Sequence, residues 1–209
     1  MTGSDDDRAA LRRRLRLERR RLPAAERQAA AQAVARRLAS LGLPKPGSRI
    51  GAYVPIDAEL DPAPIIALAR RRGCRIHVPV ITSFSARHMR FAPLDTSRDM
   101  RPNRWGIHEP EGTGINGRWL DLVLVPCVAF DDRGGRLGLG AGFYDRHFAF
   151  LSRRRAWRRP LLLGLGYELQ RVRHLVQQRW DVPLHGIVTE RAACRVNAGS
   201  RDDCVEEGP

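Results

Sequence analysis

Long apolar segments are missing from this 209-residue chain, and no run approaches the roughly 20 residues that cross a bilayer. The four cysteines are widely scattered with no C-x-x-C pair, so a disulfide framework and a zinc ribbon are both poorly supported. The first residues are rich in Asp and Arg, unlike the basic tip and apolar stretch of a secretory signal. We therefore expect a cytoplasmic protein with reduced thiols.

Lysine is almost absent, since Lys45 is the single lysine among 37 cationic side chains. This scarcity is typical of a genome-wide coding bias, so the arginine count by itself is weak evidence for a nucleic-acid surface. The net charge of +14 and two arginine-rich segments, 8–37 and 153–159, nevertheless favour a polyanionic partner. Nucleic acid, a nucleoside triphosphate and a polyglutamate tail all remain open at this point.

Size and composition are those of an ordinary globular domain. Hydrophobic residues make up 43% of the chain and charged residues 29%, which excludes wholesale disorder and collagen-like repeats. A chain of this length corresponds to about one domain. We expect that domain to span residues 8–195, between flexible termini at 1–7 and 196–209.

Hydrophobic periodicity and turn residues predict alternating strands and helices. The predicted helices are 8–22, 23–41, 62–72 and 142–154, and the predicted strands are 49–55, 75–81, 89–94, 120–126, 161–166 and 185–188. The strand at 120–126 is a continuous apolar run, which is typical of a strand buried on both faces. The pattern predicts an α/β domain with a largely parallel sheet and two Arg-rich helices at its N-terminal end.

A glycine-rich loop follows the predicted buried strand and leads into a helix. Gly138, Gly140 and Gly142 alternate along it, so backbone N–H groups can approach an anion closely. Arg136 stands at its entrance, and Asp145 falls in the first turn of the helix, where a carboxylate could share Mg²⁺ with phosphates. The spacing is neither a dinucleotide-binding fingerprint nor a P-loop. A tight β-to-α turn that happens to be rich in glycine is the alternative.

Five motifs occur in a fixed order along about residues 8–190. They are RAALR at 8–12, YVPIDAELD at 53–61, WGIHEP at 105–110, RLGLGAGFYDR at 136–146 and WDVPLHGIVT at 180–189. Together they resemble the 5-formyltetrahydrofolate cyclo-ligase (methenyltetrahydrofolate synthetase) family. The resemblance implies a single three-layer α/β domain, with a mostly parallel central sheet flanked by helices.

The resemblance also implies a reaction. Members convert 5-formyltetrahydrofolate to 5,10-methenyltetrahydrofolate with ATP as co-substrate and Mg²⁺ as cofactor, releasing ADP and phosphate. The γ-phosphoryl group passes to the formyl oxygen, N10 attacks the resulting iminium carbon, and phosphate departs. Such a transfer needs positioning and charge neutralisation more than a protein nucleophile.

Site residues follow by position from the resemblance. The implied ATP-binding residues are Arg8, Arg12, Arg136, Leu137, Gly138, Leu139, Gly140, Ala141, Gly142, Phe143 and Tyr144. The implied substrate-binding residues are Val54, Glu59, Trp105 and Tyr144. Catalytic roles are implied for Arg136 and Tyr144, and metal binding for Asp145 and Asp181.

Several of these positions have a structural alternative. Phe143 could simply pack against the helix, and Trp105 could be a core residue. Glu59 could be a turn carboxylate that binds no ligand. Asp181 could instead cap the loop before Val182.

Three positions depart from the family pattern. Many members have Arg at the position of Leu139, and Gly or Lys at the position of Ala141. Ala58 replaces a glycine, which puts the turn before Glu59 in question.

Two other functions stay open. An Arg-rich nucleic-acid-binding protein would use the basic helices, although no aromatic-interleaved basic sheet or helix-turn-helix is recognisable. A family member could also bind ATP and have lost folate activity. For the cyclo-ligase we expect small-molecule substrates, a monomer, and neither a membrane nor a nucleic-acid partner.

Overall fold

An eight-stranded sheet organises the protein, as described by a computed structural model. The structure describes residues 5–94, 100–104, 106–110, 112, 114–153, 159–196 and 204–206. The helices are α1 (Asp5–Arg21), α2 (Ala24–Ser40), α3 (Ala63–Arg71) and α4 (Phe143–Phe148). The strands are β1 (Arg49–Gly51), β2 (Arg75–Ser83), β3 (His88–Pro93), β4 (Met100–Pro102), β5 (His108–Pro110), β6 (Leu122–Pro126), β7 (Ala129–Phe130), β8 (Arg136–Leu137), β9 (Leu161–Leu165), β10 (Gly186–Val188), β11 (Ala192–Arg195) and β12 (Cys204–Glu206).

The strand order across the large sheet is β12-β11-β10-β9-β6-β1-β2-β3. The five central strands, from β10 to β2, are mutually parallel. The outer strands β3, β11 and β12 pair antiparallel with their neighbours. Two small antiparallel pairs, β4–β5 and β7–β8, lie outside this sheet. The prediction of an α/β domain with a mostly parallel sheet is confirmed.

Helices cover both faces of the sheet. Side chains of the central strand β6 alternate between the faces, because successive residues of a strand point to opposite sides. Leu122 and Leu124 pack in the cluster that includes α2 and α3, whereas Val123 and Val125 pack in the cluster around Phe148 of α4. All four are buried, as the apolar run predicts. The helix α1 packs through Leu15 against the region of β7 and β8.

Several predicted boundaries are wrong. The helix α4 ends at Phe148 and continues as a 3-10 turn over Ala149–Arg153, because its aromatic residues are poor helix formers. The strand β1 ends at Gly51, and the chain then leaves the sheet. An unpredicted strand, β12, pairs with the edge of β11 beyond Arg195; three residues are too few to show a strand periodicity. The domain limits 8–195 themselves stay a prediction.

One of the cysteines departs from the expectation of reduced thiols. Cys74 and Cys127 are buried and free, but Cys194 is disulfide-bonded. Cys194 lies on β11, directly opposite the backbone of Cys204 on β12. Because the strand β12 is not recognisable in the sequence, the approach of Cys194 to Cys204 could not be predicted.

Within the described residues, none of the helices combines the length and apolarity needed to cross a bilayer.

A turn after β1 has two consecutive non-glycine residues in the left-handed backbone region. Asp57 has φ +52° and Ala58 has φ +59°. For L-residues this conformation costs about 1–2 kcal/mol per residue. The turn directly precedes Glu59, so its geometry decides where that side chain lies.

Replacing Ala58 with glycine should therefore stabilise the protein. For Ala58→Gly we expect a gain of about 1 kcal/mol in the free energy of unfolding, because glycine adopts φ +59° without the Cβ clash. Ala29→Gly is a matched control, since Ala29 is exposed in α2 and the same change there should cost about 1 kcal/mol. Urea denaturation of both variants measures the difference, and a loss of stability in Ala58→Gly would contradict the argument.

Candidate active site

A cavity of about 1040 Å³ opens at the carboxyl ends of the parallel strands. Tyr53, Val54 and Ile56 line it from the segment after β1, and Pro126 and Val128 line it from the segment around the end of β6. β1 and β6 are adjacent, but the chain leads from β1 outward to β2 and from β6 outward to β9. Ligands of open α/β sheets bind at such a change of direction. The topology thus points to a binding site here.

The glycine loop forms one wall of this cavity. It connects β8 to α4, and Gly140 and Gly142 have φ values of +105° and +71°, which favour glycine. A Cβ added at Gly138, Gly140 or Gly142 would meet no heavy atom closer than 3.6 Å. The loop is therefore not filled by its neighbours, and its backbone stays accessible to a ligand.

Three guanidinium groups lie over the loop. The atoms nearest to a Cβ at Gly138, Gly140 and Gly142 belong to Arg136 (3.9 Å), Arg12 (3.8 Å) and Arg87 (3.6 Å), respectively. Arg12 also donates from Nε to the carbonyl oxygen of Gly138 at 3.0 Å. A bend with glycine at alternate positions, beneath several guanidinium groups, is suited to an anion such as a phosphate.

Two carboxylates beside the loop each contact an arginine. Asp145 forms an ion pair with the buried Arg136 and accepts the backbone N–H of Val182 at 3.1 Å. Asp181 accepts from Arg8 at 3.1 Å. Both carboxylates line the cavity, so negative and positive groups alternate around the loop.

Tyr144 and Arg136 keep unpaired polar atoms inside the protein. Among the described residues, the buried Tyr144 hydroxyl and Arg136 Nε have no hydrogen-bond partner. Burial raises the pKa of Tyr144 well above its usual value of 10, so the hydroxyl stays protonated. An unsatisfied buried donor costs about 1–3 kcal/mol.

Glu59 lies on the β1 side of the same cavity and is only 7% exposed. Its Oε2 accepts the backbone N–H of Ile56 at 3.2 Å. Burial raises its pKa to about 7. Burial also raises the pKa of Cys127 to about 12 and that of Tyr53 well above 10, so of these groups Glu59 is the one that changes charge near neutral pH.

The cavity brings together distant positions that the sequence singles out. Lining residues from that set are Arg8, Arg12, Val54, Glu59, Arg136, Gly138, Leu139, Gly140, Ala141, Gly142, Phe143, Tyr144, Asp145 and Asp181. Trp105 lies outside the described residues. Leu137 is not a lining residue: it is 1% exposed and packs with Leu15, because its side chain points away from that of Arg136 along β8.

The structural alternatives account for part of the geometry. Asp181 accepts the N–H of Gln178 at 2.9 Å, so it caps its loop in addition to lining the cavity. Phe143 packs edge-on against Phe84 with ring centroids 6.5 Å apart. Glu59 is both a turn carboxylate and a cavity residue. Structural and ligand-facing roles coexist at these positions.

Several lining residues were not predicted from the sequence, among them Arg87, Glu109 and Trp180. Arg87 comes from the β2–β3 turn and had no signal, because no motif surrounds it. Glu109 accepts from Asn103 Nδ2 at 2.6 Å, and it belongs to the WGIHEP motif without an assigned role. Trp180 is 61% exposed at the cavity rim, directly before Asp181. The last two could have been found by treating each whole motif as site-forming.

Comparisons with known proteins agree with this geometry. The family described as 5-formyltetrahydrofolate cyclo-ligase matches residues 4–190. The chain is 32% identical to the 5-formyltetrahydrofolate cyclo-ligase of Escherichia coli over 180 residues, covering 84% of this chain and 96% of the relative. It is 30% identical to that of Haemophilus influenzae, covering 87% and 96%.

A solved structure shares the fold over nearly the whole chain. It is the NMR structure of 5,10-methenyltetrahydrofolate synthetase from Aquifex aeolicus, with a TM-score of 0.76 and 29% identity, covering 92% of this chain and 94% of that one. The family match over residues 4–190 includes the strands β1 to β10, the glycine loop and the residues that line the cavity. The chain therefore belongs to the 5-formyltetrahydrofolate cyclo-ligase family.

Proposed function

We propose that this protein converts 5-formyltetrahydrofolate to 5,10-methenyltetrahydrofolate, with cleavage of ATP to ADP and phosphate. The observation that carries the proposal is the open glycine loop under Arg12, Arg87 and Arg136, in a cavity that Glu59 also lines. One cavity thus offers both an anion-binding loop and a buried carboxylate. Membership of the family supports the same assignment.

ATP would place its phosphates on the glycine loop. Backbone N–H groups of Gly138–Gly142 and the guanidinium groups above them would neutralise the triphosphate. Many members carry an arginine at the position of Leu139. In this chain the residue is uncharged, and its side chain is 41% exposed. Arg12, Arg87 and Arg136 are the groups that offset this loss.

Asp145 and Asp181 fit a Mg²⁺ site completed by substrate. Within the part of the chain that the structure describes, no group of three or more His, Cys, Asp or Glu side chains could hold a metal by itself. Mg²⁺ in nucleotide sites is nevertheless held by one or two carboxylates together with phosphate oxygens. When bound, the ion would supply charge neutralisation to the phosphates.

The folate would occupy the half of the cavity near Val54 and Glu59. Glu59 would accept from N–H donors of the pterin, and this contact would orient the formyl group toward the loop. The formyl oxygen would attack the γ-phosphorus and ADP would leave; N10 would then attack the iminium carbon and lose its proton to the departing phosphate as the C–O bond breaks. The Tyr144 hydroxyl, which lacks a partner, would donate to the formyl or phosphoryl oxygen, while Arg136 neutralises its charge.

Incubation with 5-formyltetrahydrofolate, ATP and Mg²⁺ tests the proposal directly. We expect the absorbance of the methenyl product to appear, and to require all three components. Calorimetry with ATP and with folate separately identifies the alternative in which ATP binding persists without folate binding. An inactive protein beside an active relative would refute the cyclo-ligase assignment.

The nucleic-acid alternative is not favoured by the contacts of α1. Arg8 is bound to Asp181, while Arg16, Arg19 and Arg20 all contact Asp57. These arginines therefore already have intramolecular anionic partners. A steep salt dependence of nucleic-acid binding would be the sign of the alternative.

Asp145→Asn should reduce turnover by about 100-fold or more, because the amide keeps the shape but removes the charge that would hold Mg²⁺. We also expect the variant to need a higher Mg²⁺ concentration for half-maximal rate. Asp132→Asn is the matched control, since Asp132 pairs with Arg171 away from the cavity. Steady-state kinetics across a Mg²⁺ titration give the comparison, and equal Mg²⁺ dependence in both variants would remove the metal assignment.

Folate binding should strengthen as the pH rises through about 7, the pKa of Glu59. If the ionised carboxylate accepts from the pterin, a protonated Glu59 must first lose its proton, so affinity should be about tenfold weaker at pH 6 than at pH 8. Arg16, Arg19 and Asp57 also face this carboxylate, and hydrogen bonds from Arg16 and Arg20 lower the pKa of Asp57 in spite of its partial burial.

Fluorescence titration of folate without ATP measures this dependence, because it excludes the titration of the nucleotide itself. Glu59→Gln should bind more weakly at pH 8 and show a flat pH profile. A wild-type profile that is equally flat would mean that Glu59 does not accept from the substrate in its ionised form.

A further inference from the structure

We infer that Arg19 is a positioning residue for folate: by holding the left-handed turn at Asp57 and Ala58, it fixes the Glu59 carboxylate in the cavity. The inference rests on the proposed function, because it concerns the residue assigned there to pterin recognition. Arg19 does not line the cavity, so its effect must pass through the turn.

Arg19 is the most buried cation in the described residues, with its side chain only 1% exposed. Its Nε donates to the backbone carbonyl of Asp57 at 3.0 Å, and its Nη2 donates to the Asp57 carboxylate at 3.2 Å. The planar guanidinium group of Arg19 thus donates to both the main chain and the side chain of Asp57. A lysine ammonium could not hold both in this way, because it lacks the rigid planar arrangement of donors.

Stability alone does not explain a buried arginine at this position. The Nη1 atom of Arg19 has no hydrogen-bond partner among the described residues, and desolvating a cation is costly. Arg16 and Arg20 contact the same carboxylate from more exposed positions, at 39% and 53% exposure. The carboxylate would remain paired without Arg19, whereas the backbone carbonyl would lose its guanidinium donor.

The turn that Arg19 holds connects directly to Glu59. Asp57 and Ala58 occupy the left-handed region, and this costly conformation needs support from its surroundings. The turn closes through the N–H of Glu59, which donates to the carbonyl of Ile56 at 2.9 Å. The Glu59 carboxylate in turn accepts the N–H of Ile56. Relaxation of Asp57 or Ala58 to negative φ would break this closure and turn Glu59 away from its present direction.

Substitution of Arg19 should therefore affect folate more than ATP. For Arg19→Lys we expect the KM for 5-formyltetrahydrofolate to rise about tenfold, with kcat and the KM for ATP changed by less than about twofold. Arg13→Gln is the matched control, since Arg13 is exposed on the same helix and should leave all three parameters unchanged.

A double variant separates positioning from general support of the fold. Glycine at position 58 removes the strain of the turn, so Arg19→Lys with Ala58→Gly should recover part of the lost folate KM. Asp57→Asn gives a second route, because it weakens the Arg19 contact while keeping the side-chain shape. The Asp57→Asn variant should also raise the KM for 5-formyltetrahydrofolate. If the Arg19 variants do not fold, this variant tests the positioning role instead.

The outcomes distinguish the inference from the function on which it rests. A wild-type protein without methenyl-forming activity refutes the proposed function. An active wild type, with folate KM unchanged in Arg19→Lys and in Asp57→Asn, overturns only the role of Arg19. An equal loss in kcat and in both KM values, without recovery by glycine, would also overturn it, because a merely structural defect would act on every step.

Discussion

Repulsion between guanidinium groups is the constraint on which the site depends. Several arginines lie close to the glycine loop and to the turn at Asp57 and Ala58. Like charges at this density destabilise a folded chain unless anions offset them. In this structure Asp145 offsets Arg136, Asp181 offsets Arg8, and Asp57 offsets three arginines of α1. Any anion that binds in this cavity must therefore compete with these carboxylates for their arginine partners.

The fold could be predicted because its signals are local. The alternating strands and helices and the doubly buried β6 follow from periodicity, and the glycine loop leads into α4 as its composition indicates, although the short strand β8 before the loop was not predicted. The ends of α4 and β1 could not be located, since they depend on packing beyond the segment. The strand β12 is wholly a tertiary effect, because it forms only where the edge of β11 accepts it.

The site could be predicted where a motif encodes it. Val54 and Glu59 come from one motif, and Asp145 and Asp181 come from two others; the structure brings all four to one cavity. The motif does not reveal that the side chain of Leu137 is buried, because membership of a loop motif says nothing about which way each side chain points. The prediction also omits Arg87, which reaches the loop from a turn with no pattern of its own. Such contributions depend on tertiary contact and leave no trace in local sequence.

The helix α1 contacts both the glycine loop and the turn at Asp57 and Ala58. Arg8 and Arg12 lie at the loop end, and Arg16 and Arg19 lie at the turn end, on one face of the same helix. At 1.5 Å per residue, the eleven steps from Arg8 to Arg19 span about 16 Å. The helix thus fixes the distance between the contacts of Arg8 and Arg12 and the contacts of Arg16 and Arg19. Adding or deleting a single residue between Arg12 and Arg16 would turn one pair by about 100° away from its partners, so the segment can vary in outer-face chemistry but not in length.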